Sequence, residues 1–249
     1  MINETQERPL LDFDHYAVLT FDCYGTLIDW ERGIVEALQP VLAQHNITMS
    51  NDEVLELYGE LEAKAEQPYQ PYHAVLTEVM DGIGERLGLQ WSEQERATLA
   101  ESVGNWPPFA DTVAALAELA KRFQLVILSN IDDELFALSA RHLKVEFARV
   151  ITAQQVGSYK PNPRNFEYAL AQIEALGVPR ERVLHVAQSL FHDIAPAKAL
   201  GMTTVWVNRR HDRPGFGATP PAEARPDLEV PDLQTLADLT GGVTRQPVN

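Results

Sequence analysis

Short apolar runs alternate with amphipathic stretches through the second half of the chain, and this alternation constrains the fold more than any other feature. The runs are Gln124-Leu125-Val126-Ile127-Leu128, Arg149-Val150-Ile151-Thr152, Arg182-Val183-Leu184-His185-Val186 and Thr203-Thr204-Val205-Trp206-Val207. Helical patterns precede or follow them at Thr112 to Arg122, Leu135 to His142, Asn165 to Leu176 and Ile194 to Leu200. Strands this apolar are covered on both faces, and strand–helix alternation builds a parallel sheet with helices on either side. A further run, Ala17-Val18-Leu19-Thr20-Phe21, stands far upstream and ends on an acid, Asp22.

Between that first strand and the rest lies a block with only helical patterns, from Gly33 to about Gly104. Ile34, Val35, Leu38, Val41 and Leu42 recur at helical spacing. Ser50-Asn51-Asp52-Glu53 predicts an N-cap followed by acids in the first turn, and Ser92 with Glu95 predicts a capping box. A third helix is expected over about 73–87, ending at Gly88, after an interruption at Gln67-Pro68-Tyr69-Gln70-Pro71. Residues 1–14 are expected to be a loose leader. The Pro-rich stretch 213–231 is expected to be a surface loop before a last short helix.

Bulk properties exclude several classes. The chain has 249 residues, 45% of them hydrophobic, which suits one α/β domain with an insertion or two small domains. A net charge of −16 disfavours nucleic acid and anionic membranes as partners, and it obliges any anionic substrate to find a local positive site. The single cysteine, Cys23, rules out an intrachain disulfide and a cysteine-based zinc site, and its ordinary role is a small buried residue. The polar start, MINETQERPL, carries no apolar signal segment, and no apolar run reaches the ~18 residues of a membrane helix. A cytoplasmic protein is the expectation.

Ligands of open parallel sheets bind outside the carboxyl ends of the strands, so polar residues at those ends are the candidates for chemistry. Asp22, with Thr26 beyond the Gly25 turn, could be a helix-cap acid, a metal ligand or a nucleophile. Ser129-Asn130, after the run 124–128, reads equally as an ordinary turn. Lys160 lies between Tyr159 and Pro161, with Pro163 just beyond, and would supply the local positive charge that an anionic ligand needs in so acidic a chain. Asp193 follows the run 182–186 through Gln188, Ser189 and His192, and could instead cap the helix opening near Ile194.

These four segments, in this order, resemble the four motifs of the haloacid dehalogenase (HAD) superfamily. Asp22-Cys23-Tyr24-Gly25-Thr26-Leu27 resembles its D-x-x-G-T-L motif, whose first Asp is the nucleophile. The resemblance covers about residues 17–210. It implies an α/β fold: a doubly wound parallel sheet (a Rossmann-like core, residues 1–32 and 105–249) with an inserted helical cap domain, residues 33–104. Most phosphatases of the superfamily carry a second Asp two positions after the first, as the acid for a departing alkoxide. Here Tyr24 stands there, and a halide needs no such proton. The resemblance is therefore to type II 2-haloacid dehalogenases. It implies Asp22 as nucleophile, with Thr26, Lys160 and Asp193 as the other catalytic residues. Ser129 and the backbone amides near Asn130 are implied to hold the substrate carboxylate, and Tyr24, Ser189, His192, Tyr69 and Trp106 are further pocket candidates.

The implied activity is hydrolysis of small 2-haloalkanoic acids through an aspartyl ester, with no cofactor and no metal. The alternatives are a Mg²⁺-dependent phosphatase and a non-catalytic binding protein on the same scaffold. Gln188-Ser189 stands where phosphatases place another acid, which weakens a Mg²⁺ site. The expected partner is a small anionic substrate, with no nucleic acid and no membrane, and a homodimer is left open. Three departures touch the pocket: no arginine in Glu56 to Glu62, Leu190 in place of the branch's usual Asn, and Phe166 in place of a usual Tyr.

Overall fold

The computed structural model describes residues 11–212 and 217–241. Among them, six strands form one parallel sheet in the order β3-β2-β1-β4-β5-β6. The strands are β1 (Val18–Phe21), β2 (Gln124–Ser129), β3 (Arg149–Thr152), β4 (Val183–Ala187), β5 (Thr203–Val207) and β6 (Leu228–Val230). The expected strands appear within a residue or so of their expected bounds. β6 was not expected: its three residues, inside the stretch read as loop, pair with β5 from Val205 to Val207. The first ten residues and 213–216 lie outside the described residues. From Leu11 onward the leader is not loose, because Phe13 is buried and Arg122 pairs with Asp14.

Strand alternation divides the core into two layers. Leu19 and Phe21 point to one face and pack with Leu116, Leu119, Leu233 and Leu236. Val18, Val126, Leu128 and Val183 pack on the opposite side with Phe166, Ala169 and Ile173. The helices on the first face are α6 (Thr112–Leu119) and α11 (Leu233–Gly241). Near the other face lie α8 (Ala153–Val156), α9 (Pro163–Glu174) and α10 (Ala195–Ala199). Helix α7 (Asp133–Leu143) follows β2. Burying each such side chain contributes about 2 kcal/mol against the entropy of ordering the chain. The order reverses at β1, which lies between β2 and β4, so the carboxyl end of β1 is the switch point where such sheets bind ligands.

The helical block contains α1 (Trp30–Gln44), α2 (Asn51–Ala65), α3 (Tyr72–Leu87), α4 (Glu93–Arg96) and α5 (Thr98–Ser102). Both predicted capping boxes form, at Ser50 with Glu53 and at Ser92 with Glu95. α3 ends on Gly88 in the left-handed conformation. Its start is capped from a distance. Pro71 offers no side-chain cap, and the Asp132 carboxylate, beyond β2, accepts from the backbone N–H groups of Tyr72 (2.9 Å) and His73 (2.8 Å). That bond fixes the helical block over the sheet edge.

Candidate active site

The sheet edge supplies a floor of interlocked charges. Asp22 follows β1, and its backbone N–H donates to the Val186 carbonyl of β4 at 3.1 Å. Its Oδ2 accepts from Thr26 Oγ1 at 2.7 Å, and its Oδ1 accepts from Lys160 Nζ at 2.8 Å. The turn between Asp22 and Thr26 needs Gly25, whose φ is +92° and where a Cβ would meet Gln188 Oε1 at 3.0 Å. Thr26 is held in turn: Oγ1 accepts from the Gln188 N–H, and its carbonyl accepts from Nε and Nη2 of Arg209.

Lys160 is only 1% exposed, and all three of its ammonium donors are used. They go to Asp22 Oδ1, to Asp193 Oδ1 at 2.7 Å and to the Leu128 carbonyl at 2.9 Å. Asn130 fixes the backbone of Lys160 on both sides, accepting from its N–H at 2.7 Å and donating to its carbonyl at 3.0 Å. Asp193 Oδ1 is also 3.1 Å from His185 Nε2. An ionised carboxylate only accepts, so Nε2 donates there, and His185 Nδ1 meets Thr20 Oγ1 at 2.9 Å.

The charges of this floor set one another. Burial alone would keep Asp193 neutral, but Lys160 and His185 outweigh it and hold its carboxyl below the ordinary value. Burial also opposes the Lys160 charge, and the two aspartates overcome it and raise the ammonium pKa. Asp22 ends above its ordinary value: burial pushes it up, Lys160 pulls it down, and Asp193 pushes it up again. His192 is pushed down to about 4, by burial first and by the Lys160 charge, so its ring is neutral at neutral pH. Its Nδ1 faces Ser189 Oγ, which accepts from the His192 N–H at 2.9 Å.

Above this floor is a pocket of about 40 Å³, room for roughly three water-sized groups. Two buried atoms in it meet no protein partner, Ser129 Oγ and Asp193 Oδ2. The helical block closes the other side with Trp30, Glu62, Glu66 and Tyr72. Glu62 Oε1 accepts from the Tyr72 hydroxyl at 2.7 Å, and Tyr72 pairs with Tyr58 at 2.9 Å. Burial pushes Glu62 up to about 7 against that hydrogen bond, and burial together with the Glu62 charge pushes Glu66 well above its ordinary value.

A carboxylate at the end of β1, a lysine shared with a second carboxylate, and a small pocket lie together at the sheet edge. A family model described as haloacid dehalogenase-like hydrolase matches residues 16–201. The chain belongs to that family. It is similar to the (S)-2-haloacid dehalogenase of Pseudomonas sp. (strain YL), 27% identical over 232 residues that span 91% of this chain and 95% of that protein. The (S)-2-haloacid dehalogenase of Xanthobacter autotrophicus is 30% identical over 194 residues, 77% of this chain and 74% of that protein. The crystal structure of an L-2-haloacid dehalogenase shares the fold with a TM-score of 0.77 at 24% identity, covering 92% of this chain and 100% of that one.

Most residues singled out from the sequence of this HAD hydrolase gather here, and several do something other than expected. Asp22, Tyr24, Ser129, Asn130, Lys160, Ser189, His192 and Asp193 line the pocket, and Thr26 stands directly behind Asp22. The Asn130 side chain holds the Lys160 backbone through Oδ1 and one Nδ2–H, so it positions that lysine while it lines the pocket. The Tyr24 hydroxyl pairs with Ser139 at 2.9 Å. Trp106 is a correction. It is 1% exposed, donates from Nε1 to Ser102 Oγ and packs edge-on to Tyr24, so it belongs to the core and not to the pocket lining. Tyr69 is another, since its ring packs on Tyr159 outside the lining. The cap reading of Asp193 also fails: its carboxylate turns to Lys160 and His185, and α10 has no side-chain cap. Cys23 is fully buried, and burial raises its thiol pKa.

Sequence reasoning missed His185, Arg209, Glu62 and Glu66. His185 left one signal: Thr20, His185 and Thr204 are polar residues in apolar strands, and the register sets them in one row. The donors fit a magnesium ion poorly. Asp22 Oδ1 and Oδ2 and Asp193 Oδ1 are all occupied by Lys160, Thr26 and His185, which leaves Asp193 Oδ2 as the open carboxylate oxygen of the floor. Among the described residues no three His, Cys, Asp or Glu side chains are grouped to hold a metal.

Proposed function

We propose that this HAD hydrolase cleaves the carbon–halogen bond of small 2-haloalkanoic acids through an ester on Asp22. The observation that carries the reading is the shared lysine: one buried ammonium bonds both Asp22 and Asp193, beneath a pocket with room for only a few atoms. Dehalogenase relatives that span nearly the whole chain support the same chemistry. The substrate carboxylate takes its hydrogen bond from Ser129 Oγ, which has no other partner. Asp22 displaces halide from the adjacent carbon. A water then attacks the Asp22 acyl carbon and passes a proton to Asp193 Oδ2; the bond from that carbon to the substrate oxygen breaks, the leaving oxygen takes the proton back from Asp193, and the 2-hydroxy acid departs from a regenerated Asp22 carboxylate beside Lys160. Residues 33–104 act as the cap that excludes bulk water during these steps.

The test is a paired assay with purified protein. Halide release from chloroacetate and 2-chloropropanoate is expected to proceed in EDTA. Phosphate release from a phosphoester panel that requires Mg²⁺, with no halide release, would replace this reading with the phosphatase one.

A further inference from the structure

A carboxylate that activates water must keep one oxygen aimed at the reacting carbon through the whole cycle. Asp193 does not take that aim from regular structure. It sits on a single wide helical turn, Leu190–Ile194, between β4 and α10, where its N–H donates to the Ser189 carbonyl at 3.3 Å. Its side chain is held at Oδ1, by Lys160 Nζ at 2.7 Å and by His185 Nε2 at 3.1 Å. The buried Oδ2 meets no protein partner, and Asp193 lines the pocket.

The two groups that hold Oδ1 differ in what else they hold. Lys160 divides its ammonium among Asp22, Asp193 and the Leu128 carbonyl. Esterification removes the charge of Asp22 and weakens its bond to the lysine, so this anchor changes as the cycle turns. His185 is independent of the nucleophile. Both ring nitrogens are engaged elsewhere, Nε2 with Asp193 and Nδ1 with Thr20 Oγ1 of β1 at 2.9 Å. The ring is fully buried in β4, and Phe166 of α9 packs edge-on against it at 5.4 Å. Phe166, where the branch usually has a tyrosine, brings no hydroxyl, which leaves the donation on this side to the imidazole.

We propose that His185 is the positioning residue of the second half-reaction: it anchors Asp193 Oδ1 from within the sheet, so that Oδ2 stays on the water that hydrolyses the Asp22 ester. This rests on the ester proposed above. An ionised carboxylate only accepts, so the imidazole hydrogen is on Nε2, and the Thr20 hydroxyl donates to Nδ1. The water passes its proton to Oδ2, and the leaving oxygen takes it back. The Nε2–H stays on Oδ1 throughout, because a carboxylate and the carbonyl oxygen of a carboxylic acid both accept. Thr20, 1% exposed, closes the far side of the ring, so His185 orients the base and carries no proton itself.

The experiment follows 2-chloropropanoate by rapid quench, timing halide departure in the first turnover and decay of the acyl adduct on the Asp22 peptide. His185→Leu should slow adduct decay about 100-fold, the scale of loss when a catalytic group is misplaced. Halide departure should stay within about threefold, since it precedes the step that Asp193 serves. His185→Gln offers an amide N–H near the place of Nε2 and should return adduct decay to within about tenfold of wild type. His185→Leu/Asp193→Asn should be no slower than Asp193→Asn alone, because His185 acts through Asp193. Losses that multiply in the double variant, an even slowing of both steps, or wild-type decay in His185→Leu overturns the proposal. Should the Leu variant not fold, Thr20→Val decides. It keeps the ring and removes the hydroxyl that sets its tautomer, so slower adduct decay with unchanged halide departure upholds the proposal, and an even loss or none overturns it. Wild type that releases no halide from any haloacid removes the dehalogenase reading and this role with it. Halide release by wild type with both steps slowed evenly in the variants removes this proposal alone.

Discussion

The two sides of the pocket solve the same electrostatic problem in opposite ways. On the sheet side the charges are paired: one lysine serves two aspartates, and Thr26, His185 and Asn130 satisfy most of what remains. On the helical side Glu62 and Glu66 form no salt bridge among the described residues, and burial, stronger than the Lys160 charge on Glu66, raises both carboxyl pKa values. A buried carboxyl group either finds a partner or stays neutral. The floor therefore keeps fixed charge for chemistry, and the roof keeps donors that depend on pH.

The largest effect should come from breaking the floor at its nucleophile. Asp22→Asn should lower halide release by at least about 1000-fold, since an amide is a far weaker nucleophile than a carboxylate. It should remain folded by circular dichroism, because Lys160 keeps its bonds to Asp193 and Leu128. Full activity in the purified variant would remove Asp22 from its role. Asp193→Asn separates the two half-reactions on the same floor. It should release about one halide per site and then stall, with an acyl adduct on the Asp22 peptide in mass spectrometry. Normal multiple turnover, or inactivity with no burst and no adduct, would count against Asp193 as the base.

Lys160→Met tests the pairing itself. It leaves Asp22 and Asp193 buried together without their shared cation, which should cost about 3–5 kcal/mol in urea unfolding at neutral pH. Lowering the pH should recover part of the loss, because protonation removes the buried charges. A loss below about 1 kcal/mol would mean that the lysine is not what stabilises the ionised aspartates.

The same contrast explains what was legible in the sequence. The floor is built from strand ends, and each strand end carries its residue on a short, recognisable stretch. Asp22, Ser129, Lys160 and Asp193 were legible because the short stretches that carry them, apolar runs followed by polar turn residues, resemble the superfamily's four motifs in order. The roof is tertiary. Glu62 lies in a helix with many acids and Glu66 is its C-cap, and nothing in their spacing says that Glu62 is buried against Tyr72 and not in water. The absence of arginine there was visible, but what stands in its place was not. Trp106 and Tyr69 failed for the reverse reason: aromatic character predicts burial, and burial in the core looks the same in a sequence as burial in a pocket. The strand β6 was too short, and too deep in a Pro-rich stretch, to show a period.

The smallest test reaches the roof through one hydroxyl. Tyr72 donates to Glu62 Oε1, and a donor to a carboxylate favours its ionised form. Tyr72→Phe removes that donor and leaves the ring in place. The remaining effect on Glu62 is burial, so its pKa should rise from about 7 and not fall. An ionised Glu62 would repel an anionic substrate, so the alkaline limb of kcat/KM should move to higher pH, and activity at pH 8 should increase relative to that at pH 6. The cost in stability should be about 1 kcal/mol, since the Tyr58 hydroxyl also loses its partner. A structural role alone would give the stability loss with an unmoved profile. A limb displaced to lower pH would mean that the ionised carboxylate is the working form, and the contrast between a charged floor and a protonated roof would fail.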